Sequence, residues 1–474
     1  MQLRKRSTGK IRRTLATMSA SLLAATVAGY ADTAAAQSYY GSDSGKNDNF
    51  GPGVAYSELN SAILVYQESG GRVKAIEPTA NLAVHAPDGR ELTLGVVADA
   101  VSGATPNGAV PSDQSQTFVT PIKARGSSTS VTSASGGSTI IQLPPTPGQL
   151  AAAALGRQYI VAPNTLPVDK GFRDHRGAIT FGWSQPLGRI SQVGFGGGYS
   201  RESDYQSITG NISAAQNFNS DNTTISLGLN TELDSSFPYG GVPTPLTVMN
   251  AQWKPVTTRN KTQLGFVLGL TEVVTRNWLT QLNYSYDAQS GYLNDPYRII
   301  SVVDSVSGEP TSSLYENRPN KRQSQSVYWD NKFAFGLTVT EVGLRYFKDS
   351  WGIGSETADV SERLNLSRSF YIEPSARWYQ QSAANFFHDF LLGNQPLPSY
   401  ASSDMRLDRF HALTLGMKVG FKMNGRSEIY IQGDYYQQAG NSHPVDAIGQ
   451  LKQQNLFTGT KAAFVTVGYK WDFH

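Results

Sequence analysis

Residues 76–100 read IEPTANLAVHAPDGRELTLGVVADA. Ile76, Pro78, Ala80, Leu82 and Val84 alternate with Glu77, Thr79, Asn81 and His85. After the turn Pro87-Asp88-Gly89, Leu92, Leu94, Val96, Ala98 and Ala100 alternate with Glu91, Thr93, Gly95 and Asp99. Side chains of a strand point alternately to its two faces. Each half of this stretch therefore has one oily and one polar face, and the Pro-Asp-Gly turn folds them into a hairpin.

The unit recurs along the chain. Ile225, Leu227 and Leu229 alternate with Thr224, Ser226, Gly228 and Asn230; Leu264, Phe266, Leu268 and Leu270 alternate with Gln263, Gly265 and Gly269. Phe370, Ile372, Ala376 and Trp378 alternate with Tyr371, Glu373, Ser375 and Arg377; Ile429, Ile431 and Tyr435 alternate with Glu428, Gln432 and Asp434. About sixteen such segments can be placed, each near ten residues long. They begin near Glu58, Arg72, Glu91, Phe172, Arg189, Tyr205, Asn222, Asn260, Asn277, Arg322, Phe335, Trp351, Phe370, Met405, Arg426 and Thr460. Those near Arg322 and Trp351 have the weakest alternation, and Glu362 falls on the apolar face of the second.

Connection lengths alternate too. Tight links at 86–89, 187–188, 219–221, 275–276, 367–369 and 422–425 interleave with longer ones at 103–170, 236–259, 291–321, 383–404 and 441–456. Short turns at one end and long loops at the other are the layout of an outer-membrane barrel. In lipid every backbone N–H and C=O needs a partner, so the sheet must close. The expected fold is all-β: a transmembrane antiparallel up-and-down β-barrel of about 16 strands, with short periplasmic turns and long extracellular loops. Sixteen tilted strands enclose more space than side chains fill. The inward polar candidates Glu77, Asp99, Glu373, Arg377 and Asp434 are therefore expected to line water. Glu77 and Asp99 could form an acid/base pair; two solvated carboxylates near Arg72, Arg90 or Lys74 are the plainer expectation. Trp183, Trp278, Trp351, Trp378 and Trp471 are expected at the lipid–water boundary.

The last strand sets Ala463, Val465, Val467, Tyr469, Trp471 and Phe473 against Thr466, Gly468, Lys470 and Asp472. Thr466, Gly468, Trp471 and Phe473 match the spacing of a barrel-assembly signal, which the assembly machinery reads by strand addition. His474 after the terminal aromatic departs from that pattern.

The 474 residues include no cysteine, so disulfides and thiolate metal sites are excluded. Arg4, Lys5, Arg6, Lys10, Arg12 and Arg13 precede an uncharged run and the small-residue site Ala34-Ala35-Ala36, which reads as a secretory signal peptide over 1–36. Its removal takes away six basic residues and Asp32. The 40 basic and 37 acidic residues then become 34 and 36, and the net charge moves from +3 to about −2. No nucleic-acid partner is expected. Residues 37–57 read as a flexible periplasmic tail and 58–474 as the barrel. Within the segment 103–170, residues 126–139 are nearly all Ser, Thr, Gly and Ala and are expected to be mobile; residues 151–155 could form one helical turn. The segment is a candidate plug for the lumen as well as a surface loop.

Catalytic motifs are missing. Gly194-Phe195-Gly196-Gly197-Gly198 lies inside an alternating strand with no helix after it, which does not suit a phosphate loop. Gly182-Trp183-Ser184-Gln185-Pro186 lacks the second glycine of a nucleophile elbow. No two histidines have the spacing H-x-x-x-H. The expectation is a non-enzyme without a cofactor or metal.

Several phrases together carry a resemblance. They are Tyr66-Gln67-Glu68-Ser69-Gly70-Gly71-Arg72-Val73-Lys74, Ser102-Gly103-Ala104-Thr105-Pro106-Asn107-Gly108-Ala109, Gln116-Thr117-Phe118, Arg345-Tyr346-Phe347-Lys348-Asp349-Ser350-Trp351-Gly352-Ile353 and Tyr379-Gln380-Gln381-Ser382-Ala383-Ala384-Asn385-Phe386-Phe387. The chain resembles the uncharacterised domain of unknown function 3570 family over nearly its whole length. The resemblance implies a Gram-negative outer-membrane protein, with no activity or site residues to carry over, and a setting beside periplasmic redox and flavin-transfer proteins. The expected location is the bacterial outer membrane after secretory export, with lipid, the assembly machinery and small solutes as partners. The expected role is a channel or transporter for small solutes; the alternative is a plugged barrel serving as scaffold or receptor for a periplasmic partner. No residue pattern marks an oligomeric state.

Overall fold

The computed structural model describes residues 55–121, 156–250, 254–423 and 425–473. The leader, the 37–53 stretch, the 126–139 tract, the turn at 151–155 and His474 lie outside them. Twenty-one strands follow in order. They are β1 (Tyr56–Glu68), β2 (Lys74–His85), β3 (Glu91–Pro106), β4 (Gln116–Pro121), β5 (Gly156–Val161), β6 (Val168–Leu187) and β7 (Ser191–Arg201). Next come β8 (Tyr205–Phe218), β9 (Thr223–Ser236), β10 (Arg259–Thr275), β11 (Trp278–Gly291), β12 (Ile299–Val303), β13 (Pro310–Tyr315) and β14 (Lys321–Phe335). The last are β15 (Thr338–Asp349), β16 (Gly354–Asn365), β17 (Phe370–Gln381), β18 (Leu391–Leu392), β19 (Phe410–Met423), β20 (Ser427–Gly440) and β21 (Lys461–Phe473).

Sixteen of these close into one antiparallel barrel, in the order β1-β2-β3-β6-β7-β8-β9-β10-β11-β14-β15-β16-β17-β19-β20-β21. β1 pairs with β21 from Ser57↔Phe473 to Glu68↔Ala462, so no edge remains for lipid to meet. Every strand expected from the alternation is present, including the weak ones at β14 and β16. The largest displacement is at β19, expected near Met405 and found from Phe410. Met405–Leu407 instead form a 3-10 turn, capped by the Asp404 side chain accepting from the Arg406 N–H. Among the described residues no helix is long and apolar enough to cross a membrane; the strands do the crossing.

The outward face is oily. Ile63 (51% exposed), Ile179, Phe195, Ile212 (58%), Leu264 (62%), Leu344, Leu415, Ile431 and Val467 form a continuous apolar exterior. A soluble monomer does not carry a patch of this extent, whereas acyl chains solvate it. Glu362 shares this outward parity with Val360 in β16, as the alternation places it.

All connections between barrel strands longer than a tight turn leave from one end: 107–167, 237–258, 292–320, 382–409 and 441–460. They fold together. β12, β13 and β18 form a three-stranded sheet, and β4 pairs with β5. Val110, Val303, Phe390, Ala447, Leu451 and Leu456 share one dry cluster. Ala109, Phe118, Val161, Ile299 and Tyr315 form a second, and Ile300, Val302, Leu314, Leu391 and Ala401 a third. Their segments are rooted at well-separated points of the ring: between β3 and β6, between β11 and β14, and between β20 and β21. Segments anchored so far apart can share a core only by crossing the mouth. The long-loop end therefore carries a folded cap. Trp351 belongs here and not at the lipid boundary: it is 4% exposed, packed edge-on against Phe386 and under the Arg322 guanidinium. Trp378 and Trp471 do face outward at about 40% exposure.

Candidate functional site

The site is the lumen and the cap above it. Period-two geometry sets its polar lining. Glu77 of β2 and Asp99 of β3 both face in and are bridged by a cation that the sequence reading did not foresee. Arg176 of β6, the cross-strand partner of Asp99, reaches Asp99 at 2.6 Å and Glu77 at 3.7 Å. The cations expected to serve them are engaged otherwise: Arg72 pairs with Glu68 at 3.1 Å and Arg90 with Asp88 at 2.6 Å. Glu77 and Asp99 thus belong to a structural ion triad. Glu373 is held by Arg363 at 2.8 Å, not by its strand neighbour Arg377. Asp434 accepts from Gln432 Nε2 at 2.9 Å.

Between β16 and β21 the wall is built by laying tyrosine rings flat over glycines. A Cβ on Gly420 would stand 2.1 Å from the Tyr371 ring, and one on Gly468 would stand 2.1 Å from that of Tyr430. Cations stack on the lumen side: Arg363 lies 4.1 Å above the Tyr371 ring and Lys418 4.6 Å above Tyr430. Tyr371 donates to Glu428 Oε1 at 2.6 Å. Gly468 of the terminal signature therefore has a packing duty of its own. Thr466 faces in and is 6% exposed; Trp471 faces out and stacks on Phe473 at 4.5 Å.

Around the opposite side the lining is small and neutral away from the cap, with the charged Arg176, Glu232 and Asp234 nearer to it. Gly182, Gly194, Gly196, Gly198, Asn211, Ser213, Ser226 and Asn230 share the inward parity of β6 to β9. Thr180 on this side and Arg345 on the other are inward positions that are exposed, so water reaches the interior at both.

The cap is pinned by buried charge. Asp404 and Glu316 are each 2% exposed. Arg318 reaches Glu316 at 2.7 Å and Asp404 at 2.9 Å, Arg406 reaches Asp404 at 2.6 Å, and Arg298 lies 3.9 Å from Asp404. Burial alone would raise the Asp404 carboxyl, but the three guanidinium groups hold it well below the usual range. Burial wins at Glu316 and raises it, although Arg318 opposes and Ser402 donates at 2.5 Å. None of these residues stood out in the sequence, because partners such as Arg298 and Asp404 lie more than a hundred positions apart in segments without a period.

Beside the cap, Asp174, Glu202 and Asp204 bring carboxylate oxygens within 4.8 Å of one another. Burial, and then the charge of Asp174, push Glu202 up to about 7. Tyr297 of the cap donates to Asp204. The trio is the one group of acids with metal-holding spacing among the described residues, and its donors are hard oxygens.

Several solved outer-membrane barrels resemble the chain. One is CdiB from Acinetobacter baumannii, at 8% identity and a TM-score of 0.43, covering 88% of this chain and 60% of that one. Another is the siderophore receptor PirA from Pseudomonas aeruginosa, at 10% identity and 0.37, covering 87% and 62%. A third is the outer membrane protein opdK from Pseudomonas aeruginosa, at 10% identity and 0.36, covering 89% and 99%. The chain spans less than two thirds of the length of the first two. No curated protein matches it. One family profile, described as a protein of unknown function (DUF3570), matches residues 19–471.

Proposed function

The chain belongs to that family, DUF3570, and from this premise we propose that it is an outer-membrane channel for small solutes with a folded cap over its outer mouth. The observation that carries the reading is the lumen wall. Sixteen strands turn polar and charged side chains inward, and exposed inward positions at Thr180 and Arg345 put water there. A solute crossing such a path exchanges hydration for Ser, Asn, Tyr and ionic contacts and never meets lipid. The cap sets which solutes enter. Its segments share apolar clusters with one another, so it acts as a single gate.

On this reading the protein reaches the membrane by secretory export, and the assembly machinery takes the last strand through Thr466, Gly468, Trp471 and Phe473. Purified protein in planar bilayers should give discrete conductance steps. Asp404→Ala, which unpins the cap, should give larger or longer-lived ones. A folded barrel that passes neither ions nor solutes in either form would overturn the proposal. The alternative role as a receptor for a periplasmic partner rested on the segment 103–170. The described flanks of that segment lie in the cap, at the end away from the short turns, which favours the channel.

A further inference from the structure

We propose that the lumen wall below the cap holds a binding subsite for small organic carboxylates, formed by Arg345 and Arg377 with Tyr328, Tyr379 and Tyr436. The inference deepens the channel reading and rests on it. Register places the residues in two adjacent rows. Tyr328, Arg345, Thr357 and Tyr379 are successive cross-strand partners on β14 to β17. One row further from the cap, Gly343, Asp359, Arg377, Thr414 and Tyr436 follow one another on β15 to β20. All share the inward parity of Thr357 and Thr414.

The patch carries two cations, Arg345 and Arg377, and one acid, Asp359. Among the described residues, neither Arg345 nor Arg377 has a carboxylate within ion-pair distance. Arg322 nearby is already neutralised by Asp349 at 2.6 Å. Asp359, the acid beside Arg377, still feels the Arg377 charge, but its carboxylate and the Tyr328 hydroxyl fill the space over Gly343. The charges that act on the Tyr379 hydroxyl are those of Arg345, Arg377 and Arg322, all cations. Tyr436 feels Tyr379, Arg377 and, from the cap side, Glu68. Arg345 is exposed although it faces inward, so its guanidinium meets lumen water.

Two guanidinium groups with no carboxylate at ion-pair distance, two strands apart and about 10 Å across the sheet, suit an anion with carboxylates at its two ends. Each can take one in a two-pronged hydrogen bond. Tyr379 already donates to Gln381 Oε1 at 2.7 Å, so the Tyr436 and threonine hydroxyls are left to hold a polar middle.

Succinate is the probe, with succinamide as its uncharged counterpart. Saturation-transfer NMR on the detergent-folded barrel should detect succinate and not succinamide. The double variant R345Q/R377Q, checked for folding by its gel mobility before and after heating, should weaken succinate about tenfold or more. In bilayers, millimolar succinate should block the wild-type conductance and leave the variant's unchanged, and chloride-over-potassium selectivity should fall in the variant. Equal binding in both proteins, or succinamide binding like succinate, overturns the subsite. Arginine-dependent binding without any conductance keeps the subsite and overturns the channel.

Discussion

Two leucines of this chain obey the same rule in opposite ways. Leu268 stands in the barrel wall and is 47% exposed; Leu451 stands in the cap and is fully buried. Apolar surface leaves water in both cases. Lipid surrounds the wall, so oil there points outward and the charged residues face in. Water surrounds the cap, so it carries a dry centre of Val303, Phe390, Leu451 and Leu456. Buried polar groups differ as well. The wall spreads its charges around the ring, some as buried as Asp234 and Lys418, whereas the cap gathers Glu316, Arg318 and Asp404 into one cluster and must satisfy each one internally.

The comparison breaks first at Asp404. Alanine there leaves Arg298, Arg318 and Arg406 facing one another without their common anion. Removing one partner of a buried ion group costs about 3–5 kcal/mol. The cap should open to proteases while the wall stays folded, so digestion should cut 292–320 and 382–409 yet leave the heat-modifiable barrel band. Loss of that band would show that the cap and wall fold as one unit. Second in size is the wall itself. Leu268→Arg puts a charge against acyl chains at a cost of about 2–4 kcal/mol near the midplane. Thr180→Arg, pointing into lumen water, should cost close to nothing. Unfolding in urea from lipid vesicles checks both. Similar losses at the two positions would contradict the assignment of faces.

The wall was legible because its environment repeats. Every strand separates lipid from lumen, so one period describes them all, and even Glu362 could be placed on the outward face from parity. What parity cannot give is the partner. Asp99 was expected to meet Arg72, Arg90 or Lys74, its neighbours in sequence, yet it meets Arg176 across the long excursion 107–167. The cap was illegible for the same reason magnified. Val110, Val303 and Leu451 touch across more than three hundred residues, with no repeat to announce it. Trp351 was taken for a boundary tryptophan because it stands at a strand end; Phe386, thirty-five residues later, packs against it. One local signal was available: Ile299-Ile300-Ser301-Val302-Val303 is a continuous apolar run of the kind a fully buried strand shows, inside a stretch read as a loop.

Gly468 sharpens the wall side of the comparison. The Tyr430 ring occupies the space a side chain would need. Gly468→Ala forces that ring away from Lys418 and should cost about 1–3 kcal/mol, the usual penalty of overpacking. Tyr430→Ala in the same chain removes the obstacle. If the stability loss of Gly468→Ala shrinks in the Tyr430→Ala background, the glycine serves packing. If assembly into the membrane stays impaired there while stability returns, the assembly machinery reads the glycine separately.

The smallest effect lies in the cap's response to pH. Burial first, and then Asp408 and Asp446, push Asp389 up to about 7. Its folded pKa exceeds its unfolded one, so the folded cap binds the proton more tightly. That stability is fully present below the unfolded value of about 4 and is lost as pH rises through about 7. His388 works in the opposite sense: burial lowers it, so its stability is present above the unfolded value of about 6.5 and is lost as pH falls. Amide exchange at Ile299–Val303, corrected for the intrinsic rate, should therefore be slowest in mildly acidic buffer and should quicken by pH 8.5. Asp389→Asn keeps a neutral side chain at every pH, so it should flatten the alkaline limb and leave the acidic limb in place. An unchanged alkaline limb in that variant would transfer the effect to Glu202 at the cap's edge, where Glu202→Gln is the corresponding substitution.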